Sequence, residues 1–206
     1  VEGPVGVGKG AVARRLAAAL GLQAVLERPQ DNPFLASFHQ DQATYAFQTQ
    51  VFFLISRQQV LSQLQQGDLF SAGTVTDFLF ERERIFAALH LGAEELALYD
   101  RIHAVVKERI PKPDVVIYLQ ARPHVLLERL KARGPDPHRP VLKDLEEMNR
   151  VYSEFFFHYA GTPLLVVNTS DVDLDRDDEE MRHLAMEVLR LRGGTQHYIP
   201  RTHSQR

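Results

Sequence analysis

Short apolar runs alternate with longer stretches of helical period along this chain. Leu22–Leu26, Thr74–Thr76, Val115–Leu119 and Leu164–Val167 read as strands. Val115-Val116-Ile117-Tyr118-Leu119 is the clearest, because a parallel strand covered on both faces is apolar at consecutive positions. The period between these runs predicts helices over Ala11–Leu20, Phe34–Phe38, Gln42–Gln66, Phe78–Phe86, Glu94–Arg109, Pro123–Arg133, Leu142–Tyr159 and Glu179–Arg192. Gly21, Gly67-Asp68, Pro111 and Pro113, and Gly161 mark their ends. Gln42–Gln66 is apolar on more than one side and is expected to be buried by the sheet and by a second subunit. Strands alternating with helices predict an α/β fold in three layers, a parallel sheet with helices on both faces. One domain over residues 1–192 is expected, followed by a polar tail over 193–206.

The richest chemistry lies at the front. Gly3-Pro4-Val5-Gly6-Val7-Gly8-Lys9-Gly10 has the form G-x-x-x-x-G-K and runs into a helix. Glycines let such a loop turn its N–H groups inward on a phosphate, the lysine adds charge, and the helix presents its N-terminus to the anion. Gly10 stands where Ser or Thr is usual, so the hydroxyl that helps hold Mg²⁺ is missing. Only Val1-Glu2 precede the loop, where a whole strand is the rule, so further residues are expected before Val1. In open parallel sheets ligands sit outside the carboxyl ends of strands, which draws attention to Glu27 and Asp77, each just past a strand.

The totals narrow the partners. With 206 residues the chain is long enough for one α/β core. A net charge of −3 leaves no basic excess for nucleic acid. No apolar run approaches bilayer length, and without cysteine neither disulfides nor thiolate metal sites are available, which fits a cytoplasmic protein.

The order of motifs resembles the deoxynucleoside kinases, especially their bacterial purine branch. The resemblance runs from Glu2 to about Asp173. It rests on Glu2-Gly3-Pro4-Val5-Gly6-Val7-Gly8-Lys9, Glu27-Arg28-Pro29-Gln30-Asp31-Asn32-Pro33-Phe34-Leu35, Tyr45–Gln50, Thr76-Asp77-Phe78-Leu79-Phe80, Leu126–Gly134 and Phe155–Tyr159. It implies a five-stranded parallel sheet of the P-loop kinase type, an arginine-bearing lid, and a homodimer. The implied reaction moves the γ-phosphoryl of ATP, with Mg²⁺, to the 5′-hydroxyl of a deoxynucleoside.

Each candidate residue then has an expected role. Lys9 and the loop from Gly3 to Gly10 hold phosphates. Arg129 and Arg133, four apart on one helical face, close over them and stabilise developing charge. Glu27 accepts the proton of the 5′-hydroxyl. Asp77 holds Mg²⁺, acts as a second base, or caps a helix. The resemblance places Gln48 and Glu83 near the nucleobase, His39 near the sugar in place of the usual tyrosine, and the loop with Asp171 against the adenine of ATP; Phe78, where many relatives have arginine and the bacterial branch often an aromatic, is also assigned to the substrate. Arg57, nine residues after Gln48, falls on the opposite face of an ideal helix and is not assigned to the base. Pro135 stands where a third lid arginine is expected. Two other readings stay open: a monophosphate kinase of the thymidylate-kinase type, and a catalytically weakened nucleotide-binding subunit. The carboxylates Glu27 and Asp77 have the wrong sign for an acceptor that carries its own phosphate.

Overall fold

The computed structural model describes residues 1–66, 72–108 and 110–200. In chain order the elements are α1 (Lys9–Leu20), β1 (Gln23–Val25), α2 (Leu35–Gln40), α3 (Gln42–Gln66), β2 (Thr74–Thr76), α4 (Glu83–His90), α5 (Ala93–Lys107), β3 (Val116–Gln120), α6 (Pro123–Ala132), α7 (Leu142–Phe157), β4 (Leu164–Asn168), α8 (Asp178–Arg190) and β5 (Thr195–Tyr198). The expected stops at Gly67-Asp68 and the helix end at Arg109 lie outside the described residues. The chain forms two compact units: Val1–Leu26 with Ala72–Asp77 and Lys112–Arg206, and Glu27–Ser71 with Phe78–Pro111.

Among the described residues the first unit holds all the strands, and all their pairings are parallel. One sheet is β1–β2, with Ala24 opposite Val75; the other is β3–β4–β5, with Tyr118 opposite Val166 and Val166 opposite His197. The expected single sheet of five strands is therefore corrected to sheets of two and three. The physical reason lies at Val1-Glu2. Glu2 makes one parallel bridge to Tyr118, through Glu2 N–H to Ile117 O and Leu119 N–H to Glu2 O, both 2.7 Å. The Val1 nitrogen donates to Thr76 O at 2.7 Å. A single bridge is not a ladder, which needs successive pairs.

β5 falls in the stretch that reads as a polar tail. Leu164 N–H donates to Gly194 O at 2.9 Å, and the pairing continues to Tyr198. Thr195, Gln196 and His197 are exposed, so this edge strand carries no apolar alternation for a sequence reading to find.

β3 and β4 are buried on both faces, as their continuous apolar runs demand. Ile117, Leu119, Leu165 and Val167 join Val12 and Leu16 of α1 and Met181 and Leu184 of α8 in one core. Tyr118 points the other way and stacks on Phe156 of α7 at 4.1 Å and on Tyr152 at 6.2 Å. The ends of the helices follow local chemistry. Gly21 ends α1 in the left-handed region, with φ 66°, and returns its N–H toward Ala17 and Ala18. Asp177 caps α8 by accepting from the N–H groups of Glu179 and Glu180.

The second unit is helical. α3 packs with α2, α4 and α5, and Leu54, Phe80, Ala87 and Tyr99 form its centre. Within this unit these helices cover much of the apolar surface of α3. The helix expected from Phe78 starts later, at Glu83, after a 3-10 turn over Phe80–Arg82. Phe78, Leu79 and Phe80 are all buried, and three consecutive buried side chains do not lie on one helical stripe. Among the described residues no helix is long and apolar enough to cross a membrane.

Leu165 lies fully buried at the middle of β4. Leu165→Ala should lower unfolding stability by about 2–5 kcal/mol, read as a shift in the urea midpoint at unchanged slope.

Candidate active site

In the first unit the glycine-rich loop lies against β3. Gly3 has φ 153°, and a Cβ there would stand 2.4 Å from Leu119 O, so only glycine fits. Gly8, with φ 96°, turns the chain into α1, which begins at Lys9. Lys9 Nζ donates back to Gly3 O at 2.8 Å, folding the side chain over the loop. Gly6 and Gly8 open onto a cavity of about 240 Å³ whose other walls include Arg129, Arg133, Thr169 and Asp173.

Both predicted arginines thus reach the loop's cavity. Arg129 is bound there, donating to Thr169 Oγ1 at 3.1 Å, Thr169 O at 2.5 Å and Val172 O at 3.0 Å. Burial draws its pKa below the usual guanidinium value. Asp171 does not line this cavity. It is exposed and paired with Arg122, and Asp173 and Asp175 line the cavity instead.

Gly10 sits beside Asp77. A Cβ on Gly10 would stand 3.1 Å from Asp77 Oδ2, so the acid occupies the neighbourhood that a Ser or Thr side chain would enter. A carboxylate oxygen beside a phosphate loop suits Mg²⁺, which takes one or two carboxylates and fills its other positions with water and substrate phosphates. Among the described residues no group of three or more His, Cys, Asp or Glu forms a protein-only metal cage.

The second unit carries a buried charge cluster. Glu27 is gripped by two guanidiniums: Arg57 Nη2 bonds Oε1, and Arg82 Nη2 donates to Oε2 at 3.0 Å. Arg57 also pairs with Glu83 Oε2, and Arg82 Nε lies 3.7 Å from Glu83 Oε1. Side-chain exposure is 7% for Arg57, 5% for Arg82, 2% for Glu83 and 17% for Glu27. Two acids alternating with two guanidiniums balance the charge, which makes such burial tolerable. Aromatic faces complete the lining: Phe53 and Phe78 lie 4.9 and 6.0 Å from the Arg57 guanidinium, and Phe86 lies 5.3 Å from that of Arg82.

Arg57 and Arg82 are absent from the sequence-based candidates. Which face Arg57 falls on depends on the reference residue chosen. Gln48 is exposed, whereas Gln50 is buried at 4%. Arg57 is seven residues after Gln50, which returns to the same face of a helix at 100° per residue. A pairing of Gln50 with Arg57 at i, i+7 was the available signal. Arg82, inside Glu81-Arg82-Glu83, offered none beyond ordinary surface charge. Glu83 and Phe78 are buried in this unit. His39 is exposed near the end of α2, its ring 5.9 Å from that of Phe38.

The model of the deoxynucleoside kinase family matches residues 1–191. The chain belongs to the deoxynucleoside kinase family. It is therefore a phosphotransferase with a hydroxyl acceptor. The kinase is 32% identical over 147 residues to a deoxyguanosine kinase of Bacillus subtilis, a match covering 71% of this chain and 69% of that one. It is 29% identical over 199 residues to a deoxyadenosine/deoxycytidine kinase of the same organism, covering 91% and 89%. A solved structure of deoxyadenosine kinase from M. mycoides has the same fold, with a TM-score of 0.75 at 22% identity over 92% of this kinase and 99% of that chain.

Removing one member of the charge cluster strands the others. Arg57→Ala should destabilise the kinase by about 3–5 kcal/mol without any nucleotide present, measured by denaturant unfolding.

Proposed function

We propose that this kinase phosphorylates the 5′-hydroxyl of a purine deoxynucleoside, with ATP as donor and Mg²⁺ as the cation. Two observations carry the reading: the first unit has a phosphate-type loop opening on a cavity, and the second has a carboxylate, Glu27, held by two arginines. Purine preference is supported by the 32% identity to a deoxyguanosine kinase.

Phosphoryl transfer asks for position and charge stabilisation more than for covalent chemistry. The loop amides and Lys9 bind the donor phosphates. Arg129 and Arg133 face the same cavity and balance charge on the moving group, and residues 134–141 between α6 and α7 form the lid that follows them. Asp77, whose Oδ2 lies beside Gly10, would hold Mg²⁺, which would supply charge neutralisation at the phosphates. Glu27 takes the proton of the 5′-hydroxyl, its carboxylate oriented by Arg57 and Arg82. Gln50, Arg57 and Glu83 read the nucleobase edge, the buried Gln50 taking the part expected of Gln48, and Phe78 walls the base. The sugar falls to the region of His39, and the adenine of ATP to the loop bearing Thr169 and Asp173. The kinase works as a cytoplasmic homodimer. Ile55, Leu98 and Val105, exposed on α3 and α5, are the apolar residues offered to the second copy.

An assay with ATP·Mg²⁺ over the four deoxynucleosides should give the highest kcat/KM with a purine, and no product with any of the four would reject the reading. Lys9→Ala should raise the KM for ATP. Glu27→Gln should cut turnover by about 100-fold with a smaller effect on ATP binding, and an unchanged rate would reject Glu27 as the base. Light scattering should give twice the chain mass, and Val105→Glu should shift it to one.

A further inference from the structure

One buried carboxylate has no part in the proposed chemistry. Glu2 is fully buried immediately before the phosphate loop, where a carboxylate is costly unless hydrogen-bonded. Its Oε1 accepts from the loop's first amide, Gly3 N–H, at 2.8 Å, and from the Tyr152 hydroxyl of α7 at 3.2 Å. The two residues meet because Glu2 bridges in parallel to Tyr118, so its side chain leaves the sheet on the face where Tyr118 stacks with Tyr152 and Phe156. Four residues earlier on α7, Met148 Sδ accepts from Val5 N–H at 3.4 Å. Met148 and Tyr152 are i and i+4, hence neighbours on one helical face. That face therefore touches the first half of the loop twice, once directly and once through Glu2.

We infer that Tyr152 and Met148 are positioning residues for the phosphate loop: α7 holds the amides of Gly3 and Val5, so that the second half of the loop, with Gly6 and Gly8 on the cavity wall, is presented to the donor phosphates. The inference rests on the reading of this loop as the ATP site. Donor binding by backbone amides depends on their direction, and a misplacement of about 1 Å costs about 100-fold in rate. α7 follows directly on the 134–141 segment, so the same helix links the proposed lid to the loop.

The test uses Tyr152→Phe, which keeps the stacked ring and removes the hydroxyl, and Met148→Leu, which keeps volume and removes the acceptor. Amide hydrogen exchange is measured in the nucleotide-free protein, and KM is measured for both substrates. Gly3 N–H should exchange about ten-fold faster in Tyr152→Phe, and Val5 N–H likewise in Met148→Leu, the loss expected of one hydrogen bond. Leu165 and Val167 amides should keep their protection. The KM for ATP should rise several-fold in each variant, with that for the deoxynucleoside unchanged. Glu2→Gln, which retains an acceptor oxygen, should stay closer to the parent than Glu2→Ala. Unchanged exchange at Gly3 and Val5 would overturn the inference, as would an equal loss of protection at Leu165 and Val167. Failure of the parent protein to bind ATP would refute the ATP-site reading alone, since the exchange rates still decide whether α7 holds the loop.

Discussion

The first unit depends on how closely the phosphate loop approaches β3. Gly3 leaves its backbone so near Leu119 O that no side chain fits between. From this contact the other placements follow. The chain turns at Gly8 into α1, Lys9 folds back over Gly3, and α1 covers one face of β3 and β4 with Val12 and Leu16. Tyr118, one residue before Leu119, turns its ring to the opposite face and meets α7. A single strand thereby positions the loop on its end and a helix on each side, because successive side chains alternate in direction.

The second unit is organised by charge instead of by a sheet. Glu27, Arg57, Glu83 and Arg82 come from different helices and turns, and each needs the others to be buried. Such a cluster specifies where α3 and α4 stand relative to each other, since a shift of either would separate opposite charges. It also keeps a carboxylate in one orientation, which a proton-accepting role requires. The aromatic faces of Phe53, Phe78 and Phe86 shield the guanidiniums while leaving their edges for the acids.

Much of the candidate site was legible because its chemistry is local. The loop from Gly3 to Lys9 needs glycines at fixed offsets, so contiguous residues announce it. The strands Val116–Gln120 and Leu164–Asn168 were legible for a similar reason, burial on both faces leaving a continuous apolar run. Arg82 was not legible. Its value comes from Glu27, fifty-five residues away, and a charged residue in a charged stretch looks like surface. Asp171 and Gln48 are exposed, whereas Asp173 and Gln50, two residues on, line the cavity and lie buried. An offset of two residues turns a helical side chain by about 200°, and spacing alone does not say which residue is the reference.

The sequence by itself determined the class of this protein: alternating strands and helices, parallel pairing, a phosphate loop at the front, and the deoxynucleoside kinase family. These are properties of contiguous residues and of their order. Tertiary structure decided which polar residues meet. It arranged the strands as sheets of two and three, with a single bridge from Glu2 to Tyr118. It made the polar stretch Thr195–Tyr198 an edge strand through pairing with β4. It put Asp77 beside Gly10, Arg57 between Glu27 and Glu83, and Tyr152 on Glu2. Burial and charge pairing across long sequence separations are absent from any local pattern, and they are what selects one residue among neighbours of similar kind.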